Sequence, residues 1–259
     1  MTNIKNIFIY RELIYNLTLR EIKARYKQSV LGFIWAILKP AGTVIILTVV
    51  FSHFAKFPSD GLPYPLFAYG ALLPWTFFSS AIGAGIPSLI SNRNLVTKIY
   101  FPREVLVLSA IIGTFLDIAI AALLFTVLLI FYKVGVSLTV LYVVPIIVIE
   151  FIFAFGLVLL LSTINVWFRD INQATGLLMQ FWMYLTPVIY PLSMVPEKLR
   201  LVYVLNPMVG IVEGFRTALL KGAMPDMGLL GISAAIAIIT FITGYSVFKA
   251  KELDFADVI

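Results

Sequence analysis

The feature of this 259-residue chain that most limits its fold is the distance between successive charges. A helix rising 1.5 Å per residue needs ~20 mostly apolar residues to cross a ~30 Å hydrocarbon core. Six stretches meet that requirement. Residues 31–54 contain one charge, Lys39; residues 64–90 contain none; residues 105–132 contain only Asp117; residues 140–168 contain only Glu150; residues 171–191 and 227–248 contain none. The pattern predicts an all-α membrane protein with six transmembrane helices. With 61% hydrophobic and 12% charged residues, against ~45–50% and ~25% in soluble domains, the composition excludes both a soluble globular domain and a disordered chain.

An even number of spans puts both termini on one side. That side collects Lys5, Arg11, Arg20, Lys23, Arg25, Lys27, Arg93, Lys98, Arg103, Arg169, Lys249 and Lys251. The other side has Lys56, Lys133, Lys198, Arg200, Arg216 and Lys221. Lys and Arg concentrate in cytoplasmic loops, so both termini are expected in the cytoplasm, the protein being a multi-pass component of the cytoplasmic (inner) membrane. The expected organisation is an arm at 1–30, a six-span domain at 31–248 and a tail at 249–259. The arm is not expected to be a secretory leader, because its basic stretch is too long and the run after it is a full span.

Within the arm, Tyr10, Leu13, Ile14 and Leu17 recur at helical spacing, and Arg20, Lys23 and Lys27 share another face. That is the pattern of an interfacial amphipathic helix held on anionic membrane lipid. The net charge of +6 is thereby explained without nucleic acid, which is not expected as a partner. Between the last two spans, residues 201–212 are apolar but too short to cross and are broken by Pro207. After them Ile211, Phe215, Ala218 and Leu219 line one helical face, with Glu213 and Arg216 three apart on another. Two structures fit: a pair of short re-entrant helices before the last span, covered by protein or water, or a plain external loop carrying one amphipathic helix.

The chemistry available is sparse. Cysteine is absent and histidine occurs once, at His53, which removes thiol catalysis, disulfides and Cys/His metal clusters. No G-x-x-x-x-G-K-[ST] sequence is present to cradle nucleotide phosphates, so the chain is expected to have no ATPase, no catalytic residue, no metal and no cofactor of its own. Asp117 and Glu150 fall near mid-depth of their spans, where a carboxylate is costly to bury. They either face water in a passage or are protonated or bonded to hydroxyls such as Thr114. Two functional classes follow from them as alternatives: an ATP-independent secondary transporter or channel, and a membrane enzyme. No internal repeat of the secondary-transporter kind is found.

Trp35 and Trp167 sit at the cytoplasmic ends of their spans, as an interfacial belt requires. Trp75 and Trp182 instead lie ~15 Å into the second and fifth spans, accompanied by Phe77, Phe78, Phe181 and Tyr184. These six aromatics either wall a passage on which sugar rings stack or pack between helices.

Four stretches in order resemble one family. They are Arg25-Tyr26-Lys27-Gln28-Ser29-Val30-Leu31-Gly32-Phe33-Ile34-Trp35 with Pro40; Leu73-Pro74-Trp75 leading to Lys98-Ile99-Tyr100-Phe101-Pro102-Arg103; Phe168-Arg169-Asp170-Ile171 leading to Thr186-Pro187-Val188-Ile189-Tyr190-Pro191; and Asn206-Pro207 with Gly214-Phe215-Arg216. Together they are similar to the polysaccharide-export permeases of type 2 ABC transporters, which carry O-antigen, capsule or teichoic acid. The resemblance implies a homodimeric pore served by two copies of a separate ATP-binding subunit, which holds ATP and Mg. It implies export of a lipid-linked polysaccharide, with O-antigen foremost. The loop at 92–103 would supply the coupling helix, its Arg93, Lys98, Tyr100 and Arg103 meeting the ATPase. Arg169 and Asp170 would form a second contact or a turn clamp. Residues 31–35 would form a hinge at the cytoplasmic mouth, with Gly32 permitting bending beside Trp35, and Arg25 and Lys39 would contact the diphosphate head group.

Overall fold

The computed structural model describes residues 9–26, 34–54, 57–135 and 137–259, without the side chains of Tyr26, Ala36 and His53. Gly32, the expected hinge, lies outside the described residues, as does the side chain of His53. Every regular element among the described residues is helical.

The first helix, α1 (Arg11–Tyr26), carries its apolar stripe where the spacing puts it, with Leu17 buried and Tyr10, Leu13 and Ile14 partly buried against the core. The stripe is covered by protein, because α1 lies along α6 (Glu104–Ile112). The Thr18 hydroxyl donates to the Ser109 carbonyl at 3.4 Å. An apolar stripe on a surface helix can be satisfied by lipid or by protein, and here neighbouring residues of the chain take it.

Among the described residues, four segments are long and apolar enough to cross a membrane: Tyr64–Gly85, Glu104–Phe131, Leu138–Trp167 and Met227–Val258. The first is α3 (Tyr64–Gly85), the centre of the molecule, buried along almost its whole length. It has no polar face because neighbours surround it, and its Tyr69 hydroxyl is satisfied by the Ala121 carbonyl at 2.9 Å. Two short helices follow, α4 (Ser88–Ser91) and α5 (Arg93–Lys98). The second long segment bends at Gly113 and Thr114 into α6 and α7 (Phe115–Phe131). The others contain α8 (Val143–Trp167) and α12 (Met227–Lys251).

Helices α8 and α12 run side by side in the same direction with their backbones touching. A Cβ added at Gly156 would lie 2.4 Å from the Cα of Phe241, and one at Gly244 would lie 2.0 Å from the Gly156 carbonyl oxygen. Only glycine permits that approach.

The remaining expected spans, at 31–54 and 171–191, differ in how far they are helical. Helix α2 (Ile34–Leu47) contains Pro40 and continues as π-type turns over Thr48–Phe54, so the described chain is helical from 34 to 54. Helix α9 (Asp170–Tyr184) has 15 residues, a rise of about 22 Å. Beyond Tyr184 the chain leaves the helix although its composition stays apolar.

Between these and α12 lie α10 (Glu197–Val204), which is exposed, and α11 (Pro207–Arg216), which is enclosed by α3, α8 and α12. The expectation of a polar face on α11 is corrected, since Arg216 is as buried as Ile211 and Phe215. The chain ends in a 3-10 turn at Glu252–Asp254 and the short helix α13 (Phe255–Val258).

Candidate functional site

The end of α9 explains why the fifth apolar stretch is not one helix. The last carbonyls of a helix have no partners of their own, and here side chains from elsewhere take them. The Tyr184 carbonyl accepts from the Tyr190 hydroxyl at 2.7 Å and the Leu185 carbonyl from Asn206 Nδ2 at 3.3 Å. The carbonyls of Pro187 and Val188 accept from Arg216 Nη2 at 3.0 and 3.2 Å, and that of Ile189 from the Tyr64 hydroxyl at 2.9 Å. Pro187 and Pro191 supply no N–H, which makes it costly for the helix to continue.

Arg216 is wholly buried, and each of its three nitrogens is engaged. Nε donates to the Phe67 carbonyl at 3.3 Å and Nη1 to Glu213 at 2.9 Å, and the guanidinium lies 3.7 Å over the Phe67 ring. A buried charge is tolerated only when paired and hydrogen-bonded in this way. Asn206 is used as completely. Its Oδ1 caps α11 by accepting from Met208 N at 3.1 Å and also accepts from Trp182 Nε1 at 3.0 Å, while Nδ2 reaches Thr186 Oγ1 at 2.9 Å. Asparagine before proline at a helix start is the expected capping chemistry. The Asn206-Pro207 pair was visible in the sequence; its hold on α9 was not.

The structure divides the six deep aromatics. Phe78 meets Trp75, Phe153 and Trp182 inside the chain, its ring centroid 5.2 Å from those of both Phe153 and Trp182. Phe77 faces another way, 4.6 Å from Phe115. Trp75, Phe77 and Phe78 have almost no accessible surface, whereas Phe181 and Tyr184 are 57% and 51% exposed. Depth along a span says nothing about direction, which is why one list contained both kinds.

Helix α9 is open on nearly every side, Thr175 alone being buried. Gln173, Leu177, Gln180 and Tyr184 recur at helical spacing and are all exposed. Amide side chains on an apolar-length helix are poorly matched to lipid. On α2, Trp35 and Lys39 are likewise exposed.

The basic end gathers α1, α4, α5, the turn after α8 and the end of α12. Arg93, Lys98 and Tyr100 are exposed, Tyr100 to 88%. Arg103 is turned inward: its backbone N–H donates to the Glu252 carboxylate at 2.9 Å and its guanidinium to the Glu252 carbonyl. Lys249 joins Glu104 at 2.7 Å to Glu252 at 2.8 Å. Arg169 and Asp170 are exposed, with Asp170 in the first turn of α9, where a carboxylate suits the helix dipole. Arg20 bonds Asn92 of the loop before α5.

The two acids expected within spans differ. Asp117 accepts from Arg25 at 2.5 Å, while the Thr114 hydroxyl is turned to the Ile111 carbonyl. Glu150 is sealed inside the protein, and neither carboxylate oxygen has a hydrogen-bond partner among the described residues. Among the described residues no group of three His, Cys, Asp or Glu side chains could hold a metal ion.

Long apolar helices packed around α3, beside a shorter helix whose amides face outward, are the make-up of a multi-pass membrane protein. Residues 12–220 match the ABC-2 type transporter family, and the chain belongs to it. It is 30% identical over 257 residues to the O-antigen export system permease protein RfbA of Myxococcus xanthus, covering 98% of both chains. It is 28% identical over 249 residues to the RfbA permease of Klebsiella pneumoniae (96% of this chain, 95% of that one). To the polysialic acid transport protein KpsM of Escherichia coli it is 23% identical over 240 residues (91% and 92%).

Proposed function

We propose that the chain is the membrane-spanning subunit of an ATP-driven exporter that moves a lipid-linked polysaccharide, O-antigen first among the candidates, across the cytoplasmic membrane. The observation that carries this beyond family membership is the open side of α9. Gln173 and Gln180 present amides that lipid cannot satisfy, beside the exposed rings of Phe181 and Tyr184, so a second copy of the chain and the passage between the copies cover them. Sugars offer hydroxyls to amides and apolar ring faces to aromatics, and the stripe supplies both. Helices α2 and α9 then complete six crossings, with α10 and α11 at the outer end.

The basic end faces the cytoplasm, in keeping with the excess of Lys and Arg there. Arg93, Lys98 and Tyr100 are the open contacts for two copies of an ATP-binding subunit, which binds ATP and Mg and does all the hydrolysis. Arg25 and Lys39 serve the diphosphate head group at the cytoplasmic mouth. An ion-driven carrier working through Asp117 and Glu150 has less support, because Arg25 occupies the first and the protein encloses the second.

The absence of cysteine makes the test clean. A Gln180→Cys variant, oxidised in native membranes, is expected to yield a disulfide-linked dimer that co-purifies with an ATP-binding subunit. Monomer alone, purified without any ATPase and still moving solute in vesicles, would overturn the proposal.

A further inference from the structure

We infer that residues 252–259 form a bracket that positions the exposed helix α5 against the α8–α12 pair, with Glu252 and Phe255 as its anchors. The inference rests on the coupling role given to α5 above. Residues 252–259 are built into three other parts of the chain. Phe255 is fully buried and meets Phe248 edge-on at 5.2 Å and Trp167, the last residue of α8, at 5.8 Å. Glu252 holds both the backbone and the guanidinium of Arg103, the residue through which the α5 loop returns to α6. Lys249 binds Glu252 and Glu104 together. Helix α13 itself packs on α5, and Ile259 packs against the core.

Helix α5 has only 6 residues, with Val96 buried and its outer side open. A displacement applied to that outer side leaves through whatever holds the helix. One route is Asn92 to Arg20 and so to α1. The other is Arg103 to Glu252 and so to α12, whose backbone is locked to α8 at Gly156 and Gly244. The bracket therefore directs motion of α5 into the paired long helices. Glu252 and Phe255 act through Arg103 and Trp167, and they are positioning residues.

The test compares wild type with Glu252→Ala, Glu252→Gln and Phe255→Leu in the complex isolated from membranes. Co-purified ATP-binding subunit, ATP hydrolysis and polymer exported are each measured. Wild type must bring down the ATP-binding subunit; if it does not, the coupling reading itself fails. Given that, Glu252→Ala is expected to keep subunit binding and hydrolysis within about twofold while export per ATP falls about tenfold. Glu252→Gln, which retains an acceptor for the Arg103 N–H, restores part of it, and hydrogen exchange at residues 93–98 accelerates in the alanine variant. Export and hydrolysis falling together, with their ratio unchanged and exchange at 93–98 unaltered, would overturn the bracket.

Discussion

Trp182 donates its indole N–H to the side-chain oxygen of Asn206 at 3.0 Å, so one residue closes the aromatic cluster of α9 and opens the buried helix α11. Removing that oxygen withdraws a helix cap, worth about 1 kcal/mol, and strands a half-buried indole N–H, costing about 1–3 kcal/mol. Asn206→Leu is therefore expected to lower the thermal midpoint of the purified protein. Asn206→Asp keeps the cap but loses both donors and should fall between the two. A midpoint unchanged in Asn206→Leu would show that the contact adds nothing to stability.

Arg216 and lysine are not interchangeable at its site. A lysine retains the charge but cannot reach the carbonyls of Phe67, Pro187 and Val188 in one plane. Arg216→Lys is expected to reduce folded yield, read as the monodisperse fraction in size-exclusion chromatography. Arg216→Ala, which leaves the buried carbonyls of Phe67, Pro187 and Val188 without their donor, should reduce it further.

The contact between α8 and α12 makes a paired prediction. Gly244→Ala forces a methyl against the Gly156 carbonyl and is expected to cost at least the ~1–3 kcal/mol of an overpacked core. Gly231→Ala, on the same helix with nothing within 4 Å of the added carbon, should be neutral or slightly stabilising. Equal melting temperatures for the two would show that the helices separate without penalty.

The two classes of aromatic residue separate stability from transport. Trp75→Ala empties a packed site and is expected to destabilise the chain by about 3–5 kcal/mol. Tyr184→Ala should leave the melting curve in place and slow polymer export. Surface polymer at wild-type level in Tyr184→Ala would remove the open side of α9 from the passage.

Charge reversal at Arg93 and Lys98 together is expected to weaken retention of the ATP-binding subunit during purification. Wild-type retention would assign those charges to membrane topology alone.

Hydropathy made four long helices legible, and the apolar spacing in the arm foretold which side of α1 would be buried. It did not show where α9 ends, because Leu185, Val188 and Ile189 count as apolar whether or not their backbone is helical. The prolines at 187 and 191 were the available signal. Charge counting placed Arg93, Lys98 and Arg103 together, but a count carries no direction, and Arg103 points into the protein. Glu252 and Phe255 left no signal, since a carboxylate and a phenylalanine near a chain end have no pattern until their partners are known.

The contacts that fasten the outer end of α9 read the main chain. Arg216, Asn206, Tyr64 and Tyr190 address carbonyl oxygens at positions 184, 185 and 187–189, and a carbonyl is the same whatever side chain it bears. Leu185, Val188 and Ile189 are thus free to vary among apolar side chains of similar volume, and a library randomised at those three positions should recover many working solutions. One randomised at 206 and 216 should recover almost none.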